Sequence, residues 1–268
     1  MENEIKKYPR TRHVRGSRFQ HGDYDLEAAP WSELQDQSLV VEEKIDGANA
    51  GISFTADGEL RLQSRGHYLT GGPREKHFNL LKQWAATHME ALYCVLGDRF
   101  VMYGEWMFAK HTCFYDALPH YFMEFDILDT QDGSFLGEAQ RGWLLFGGSV
   151  RAPVTQVRVL HRGYVESVEH LASMIGPSAF ITPAREATLR RVAAEHGVDP
   201  DRAVQQTDMS PLMEGLYVKA EHGGQVVGRY KYVRSSFTNA ILDSEEHWLA
   251  RPIVPNQLAP GAFEAMFV

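Results

Sequence analysis

Short apolar blocks dominate the chain, and more of them carry the period of a strand than of a helix. Residues 39–45 form the first such block. Asn49–Phe54 alternates as a second strand, Ala56-Asp57-Gly58-Glu59 reads as a hairpin turn, and Leu60–Arg65 returns as a third strand. Gly66, Gly71 and Gly72 then mark a loop. Over residues 75–96 the period becomes helical, with Phe78, Leu81, Trp84, Ala85, Met89, Leu92 and Leu96 on one broad face and Gly97 as a stop. Arg99–Trp106 and Tyr121–Asp129 read as buried strands. In the second, Tyr121, Phe125 and Ile127 share one face while Glu124 and Asp126 share the other. Val154–Leu160 is a further strand. Helical spacing returns over 166–208 through Leu171, Met174, Ile175, Leu189, Val192 and Ala193, broken by Pro177, Pro183 and Pro200, as a helical insert charged on its outer face. Glu214–Ala220 and Gln225–Val233 pair as a hairpin that sets Arg229, Lys231 and Val233 on one face. Near the start, Pro30 before Trp31-Ser32-Glu33-Leu34 marks a short helix.

The block ending in Lys44-Ile45-Asp46-Gly47 carries the candidate chemistry. A lysine there is either a surface residue ahead of an Asp-Gly turn or a nucleophile. An ordinary lysine, with a pKa near ~10.4, is only about one part in a thousand neutral near pH 7.4, and burial or neighbouring cations lower that pKa. Asp46 is placed to orient the amine or its cationic neighbours, and Gly47 lets the backbone come close to a ligand. Arg65 ends a strand paired to the one after Lys44, so it can reach a phosphate beside the lysine. Glu105, at the end of an apolar strand, needs a partner: a sugar hydroxyl, a metal-bound water or Lys110. Glu124 and Asp126 on one face call for a cation. Phe125 is either core or a ring offered to a base. Arg229 and Lys231 repel each other unless an anion lies between them or the strand is a solvated edge.

At 268 residues and 44% hydrophobic composition, the chain suits one large domain or two small ones. It shows no apolar run that would span a bilayer and no leader at Met1, and Cys94 and Cys113 read as reduced core residues without metal-ligand spacing. A cytoplasmic location with no membrane partner is expected. The net charge of −8 disfavours broad, non-specific nucleic-acid binding. Positive charge is nonetheless concentrated in Lys6, Lys7, Arg10, Arg12, Arg15 and Arg18, as either a solvated start or a phosphate-contacting arm.

These segments match, in order, the covalent nucleotidyltransferase superfamily of polynucleotide ligases and capping enzymes, and the chain most resembles the RNA ligase family, in its RNA ligase 2-like group. EKIDGAN resembles the nucleotidyl-lysine motif, with Asn49 matching an asparagine typical of these ligases. SRG with Arg65, YGEW with Glu105, FMEFDIL with Phe125, EGLYVK with Glu214 and Lys219, and RYKYV with Arg229 and Lys231 resemble the motifs that follow. The family usually has Lys-x-Lys in the last. Arg229 departs from it, keeping the charge without a titratable amine.

The resemblance implies an α+β fold, an ATP-grasp-like nucleotidyltransferase domain of antiparallel β-sheets flanked by helices. It implies that Lys44 attacks the α-phosphate of ATP, that AMP passes to an RNA 5′-phosphate, and that a 3′-hydroxyl displaces it. Lys231 and Arg229 would hold the α-phosphate and depress the Lys44 pKa, and Asp46 would assist. Glu214, with Asp126 as helper, would carry Mg²⁺ (or Mn²⁺). Glu105 would bind the ribose and Phe125 the adenine, Asn49 and Arg65 would touch sugar or phosphates, and Lys219 would join the nucleotide contacts. Either Glu42 or Glu43 would accept from the adenine amine. The expected organisation is an arm and short helix over 1–38, the catalytic domain over 39–235 with its insert at 166–208, and a tail over 236–268 too short for a separate carboxy-terminal domain. A protein partner would then supply grip on the RNA. DNA nick sealing, GTP-dependent capping chemistry and a non-sealing nucleotide-binding module are the rival readings.

Overall fold

The structure, a computed structural model, describes residues 4–19, 26–237 and 252–268, and side chains at 73 and 74 are not described. Residues 1–3 of the arm and 238–251 of the tail lie outside the described residues. The strands are β1 (Arg12–His13), β2 (Leu39–Lys44), β3 (Ala48–Phe54), β4 (Leu60–Ser64), β5 (Phe100–Trp106), β6 (Phe122–Asp129), β7 (Phe135–Leu136), β8 (Thr155–Gln156), β9 (Val159–Gly163), β10 (Gly215–His222) and β11 (Gln225–Val233). The helices are α1 (Asn79–Thr87), α2 (Met89–Leu96), α3 (Glu138–Phe146), α4 (Val168–Ser173), α5 (Arg185–Glu195), α6 (Pro200–Gln205) and α7 (Ala262–Ala265). Hydrogen bonds link the strands in the order β4-β3-β5-β6-β7-β11-β10-β2-β9, with β1 beside β11 and β8 beside β6. All pairings along that path are antiparallel, and β1 and β8 join in parallel. This is an α+β fold of antiparallel sheet flanked by helices. No helix among the described residues is long and apolar enough to cross a membrane.

Three places depart from the hydrophobic pattern. The helical run over 75–96 is a 3-10 turn, then α1, then α2, broken at His88. The break shifts the phase, so Leu81, Trp84, Ala85, Leu92 and Leu96 are buried while Met89 is exposed. Cys94 is exposed on the same helix, whereas Cys113 is buried as expected. The apolar run at 154–160 is two strands, because β8 pairs with β6 and β9 crosses to β2. Helix α3 and the short strands β1 and β7 carry too few periodic residues to register as pattern.

The largest core joins α1 and α2 to β3, β5 and β6 through Trp84, Ile52, Met102 and Phe122. A second core lies under β2 and β10, built from Leu39, Val41, Leu216 and Val218 with Val14 of the arm and Leu171 of α4. The helices of the insert pack Leu189, Val192 and Ala203 on Phe114 and Val254. Pro200 does not break this insert; it opens α6, where its missing N–H costs no bond. The described tail lies on the body: Asn256, fully buried, accepts from Tyr115 N at 2.9 Å and donates to the Met107 carbonyl at 2.7 Å.

The basic arm is part of the fold rather than a solvated start. His13 sits opposite Lys231 across β1 and β11, and its ring bonds the Ser17 hydroxyl at 2.7 Å. Ser17 in turn accepts from Val233 N at 2.9 Å. Arg12 is paired with Glu33 and Arg18 donates to the Ser235 carbonyl.

Behind β6 lies a cluster of buried charges. Arg141 of α3 donates to Glu124 at 2.8 Å and to Glu42 at 2.5 Å, Lys219 lies 2.8 Å from Glu42, and Arg229 donates to Asp126 at 3.0 Å. Three carboxylates thus face three cations, all but Arg229 almost wholly out of solvent. Such sets stabilise little as wholes, but removing one partner strands the others. Arg141→Ala leaves Glu42 and Glu124 without that partner and should lower the free energy of unfolding by about 3–5 kcal/mol, read as a lowered urea midpoint.

Candidate active site

Register brings the candidate residues together. Lys44, the last residue of β2, stands opposite Gly215, the first of β10, so Glu214 arrives beside the lysine amine. Lys44 Nζ donates to Glu214 Oε2 at 2.8 Å and lies the same distance from Oε1. Gly215 is required there, because a Cβ would fall 2.1 Å from the Tyr232 carbonyl of β11. Lys231 projects from β11, opposite Tyr217 of β10 and His13 of β1. Its charge acts on Glu214.

A cavity of about 590 Å³ opens over this junction. Among its lining residues are Glu42, Glu43, Lys44, Asp46, Asn49, Arg65, Glu105, Phe125 and Lys231. The size is that of a small-molecule pocket. Asn49 of β3 and Glu105 of β5 are cross-strand partners. Asn49 Oδ1 and Glu105 Oε2 are both buried acceptors without a hydrogen-bond partner. Two buried oxygens without a hydrogen-bond partner, on neighbouring residues that line the cavity, fit a ligand that brings hydrogen-bonding groups. At the far wall the Phe125 ring lies 5.0 Å from Tyr8 of the arm and 6.0 Å from Tyr217, whose plane is inclined to it by 31°. Tyr8 and Thr11 also line the cavity, a contribution of the arm that charge counting missed and that its isolated aromatic, flanked by lysines, scarcely signals.

Burial by itself would lower the Lys44 pKa, but Glu214, Asp46 and Glu105 outweigh it and hold the amine above its ordinary value. This corrects the expectation that Lys231 and Arg229 depress it, since the groups that bear most strongly on the amine are carboxylates. Burial pushes the Glu105 carboxyl up to about 8, with Lys44 opposing. Burial also takes His111 down to about 4, helped by Lys110, so it is neutral at physiological pH.

Asp46 is a clasp. Its Oδ2 accepts from Thr112 N and Cys113 N at 2.7 Å each, and its own N–H donates to the Tyr115 hydroxyl at 2.9 Å. It thereby pins the 111–115 loop beside the lysine, and its charge reaches Lys44. Gly47 lines the cavity, and on its other side a Cβ would lie 2.5 Å from Met107 Sδ.

Four expected contacts are placed differently. Asp126 is not beside Glu214; it accepts from Tyr8 at 2.9 Å and from Arg229, and it does not line the cavity. Arg229 turns away from Lys231 because Asp126 and the Phe135 ring, 3.6 Å from its guanidinium carbon, capture it. Lys219 is fully buried, donating to the Phe125 carbonyl and neighbouring Glu42, outside the cavity lining. Glu42 lines the cavity, but its oxygens are taken by Arg141 and Lys219. Glu43 accepts from Ser178 at 2.5 Å and keeps Oε2 without a hydrogen-bond partner.

The sequence profile of the RNA ligase family matches residues 37–233. The chain belongs to the RNA ligase family. Compared with curated protein sequences it has no significant match. Among solved structures it is similar to a Naegleria gruberi RNA ligase, as two lysine-to-alanine variants with ATP and Mn, both at 16% identity and with TM-scores of 0.50 and 0.51. A third variant, without ligand, has a TM-score of 0.50 at 17% identity. Each covers 77% of this chain and 52% of the other, so this chain spans about half the length of those proteins. At that identity the likeness is one of fold.

Glu105 and Asp46 bring carboxyl oxygens to the cavity wall, while Glu214, both of whose oxygens lie 2.8 Å from Lys44 Nζ, is not among the lining residues. The carboxylates of Glu214, Glu105 and Asp46 act electrostatically on one another around Lys44, and hard oxygen donors suit magnesium or manganese. No group of three or more His, Cys, Asp or Glu among the described residues is arranged to hold an ion by itself. Magnesium often relies on one or two carboxylates together with substrate phosphates, which matches such a site.

The raised Glu105 carboxyl has a pH consequence. Between about 4.5 and 8 the folded chain keeps a proton there that the unfolded chain has lost, so stability falls as pH rises through that window. Glu105→Gln should flatten the fall, read as a smaller change in urea midpoint between pH 5 and pH 8 than in the wild type.

Proposed function

We propose that this protein is an ATP-dependent RNA ligase acting through a covalent Lys44–AMP intermediate. The observation that supports it most is the pair of orphaned acceptors, Asn49 Oδ1 and Glu105 Oε2, facing the cavity that also holds Lys44 and Lys231. A ribose presents two neighbouring hydroxyl donors, and Phe125 with Tyr217 and Tyr8 offers aromatic surface for the base. Lys231 and Arg65 face the phosphates as cations. The structures of similar fold determined with ATP and Mn are consistent with this ligand.

Lys44 Nζ attacks the α-phosphorus, a P–N bond forms, and the bond to pyrophosphate breaks. The amine must first release to solvent in the cavity the proton that Glu214 holds on it. A cation bound at Glu214, magnesium or manganese, would offset that carboxylate and weaken its hold on the proton. Lys231 steadies the negative charge of the α-phosphate, where positioning and charge neutralisation do most of the catalytic work. AMP then passes from Lys44 to the terminal oxygen of an RNA 5′-phosphate. A 3′-hydroxyl attacks that phosphate, the new phosphodiester forms, and AMP leaves with the bonding electrons. Asp126 and Arg229, tied to each other, set the position of the Phe125 strand from behind.

ATP labelled in the α-phosphate should mark the protein with a bond stable to base and labile to acid, and Lys44→Ala should abolish the mark. Label on the alanine variant, or none on the wild type, would refute the assignment. Unlabelled GTP should compete far less well than ATP, and sealing should be seen on a 5′-phosphorylated nick in RNA.

A further inference from the structure

We infer that a second, smaller cavity beside the nucleotide site receives the 5′-phosphate end of the RNA that accepts AMP. The inference rests on the ligase reading and adds a site to it. The cavity measures about 170 Å³ and shares His111 with the larger one. Its walls come from His77, Lys110 and His111 on one side and from α6 of the insert, with Asp199 and Arg202, on the other.

Three features point to a phosphate. Lys110 bridges the two sides, its amine donating to the His111 carbonyl at 2.9 Å and to the Gln206 carbonyl at 2.8 Å. Its charge reaches both Asp46 and His111, which places a cation at the junction between the cavities, next to the nucleotidyl lysine. Arg202 is exposed at the outer wall, and its guanidinium has no ion pair among the described residues. The opposing charge is that of Asp199, whose Oδ1 accepts from Arg202 N at 2.7 Å and so caps α6. The lining carries the cations Lys110 and Arg202 against the single carboxylate of Asp199.

The position suits the acceptor strand better than the triphosphate tail. The larger cavity has the volume for a whole nucleotide. The smaller one is walled by the insert and by residues 252–254, neither of which lines the larger cavity, and its outer wall is the exposed Arg202. A strand entered there by its 5′-phosphate would bring that group through the His111 junction to Lys44, with the remainder of the RNA leaving along the insert.

The test separates the two half-reactions in the full chain. Arg202→Glu should take up label from ATP within twofold of wild type. Its KM for AMP transfer from labelled protein to a 5′-phosphorylated nicked RNA should rise about tenfold or more, as expected for losing a charge-assisted phosphate contact and adding repulsion. Arg202→Lys should recover most of the loss, and Arg191→Glu, a charge reversal elsewhere on the insert, should not reproduce it. Binding of the same nick with a 5′-hydroxyl should be equal for wild type and Arg202→Glu. Unchanged transfer by Arg202→Glu overturns the inference. So does a matching rise in its KM for ATP, which would assign the cavity to the triphosphate, or an equal loss of 5′-hydroxyl RNA binding, which would make Arg202 a general backbone contact. Wild type that labels but transfers AMP to no 5′-phosphate would overturn the ligase reading itself, and this inference with it.

Discussion

The contact between Lys44 and Glu214 sets the terms for the rest of the site. It joins the end of β2 to the start of β10, and the register of the two strands leaves it no latitude: a slip of one residue would turn Lys44 to the other face. Glu214 is wholly buried, and Lys44 keeps 16% of its side chain exposed on the cavity side. A pair so placed contributes little net stability, because desolvation offsets most of the attraction. What it does is hold an amine charged, aimed and inert. In the proposed reaction, the reactivity of Lys44 would depend on whatever redistributes charge around Glu214, and the same carboxylate would guard the resting state.

The neighbouring charge cluster plays a supporting part. Glu42, Glu124 and Asp126 sit among Arg141, Lys219 and Arg229, all but Arg229 almost wholly buried. Lys219 grips the backbone of β6 at Phe125. The aromatic wall is therefore fixed from behind by ionic contacts, while the cavity side presents rings and orphaned acceptors. Polar groups that a sequence reader assigns to the ligand turn out to be split between those that face it and those that hold the wall in place.

Much of this was legible in the amino-acid order. The strands bearing Lys44, Asn49, Glu105, Phe125 and Lys231 are legible as apolar blocks, and these five residues line one cavity with Arg65. Alternation also put Asp126 and Arg229 on definite faces but could not say what lies across from them. Their mutual capture depends on β6 and β11 being brought together through the short β7, which has no pattern of its own. The same limit explains the arm. Tyr8 and Thr11 reach the cavity only because β1 zips onto β11, a pairing of two residues that no periodicity reveals. The direction of the Lys44 shift is hidden for a related reason: motif positions name the cations near a nucleophile but not the carboxylates that the strand register sets against it.

That arm has a consequence for how the protein comes to be active. Ser17 closes on Val233 across 216 positions of chain, and β1 flanks the strand that carries Lys231. Contacts of such long range form late, after the loop they enclose has been ordered. A growing polypeptide would therefore display Lys44 before Lys231 is seated across the cavity from it, and the cavity would be complete only when the two distant segments dock.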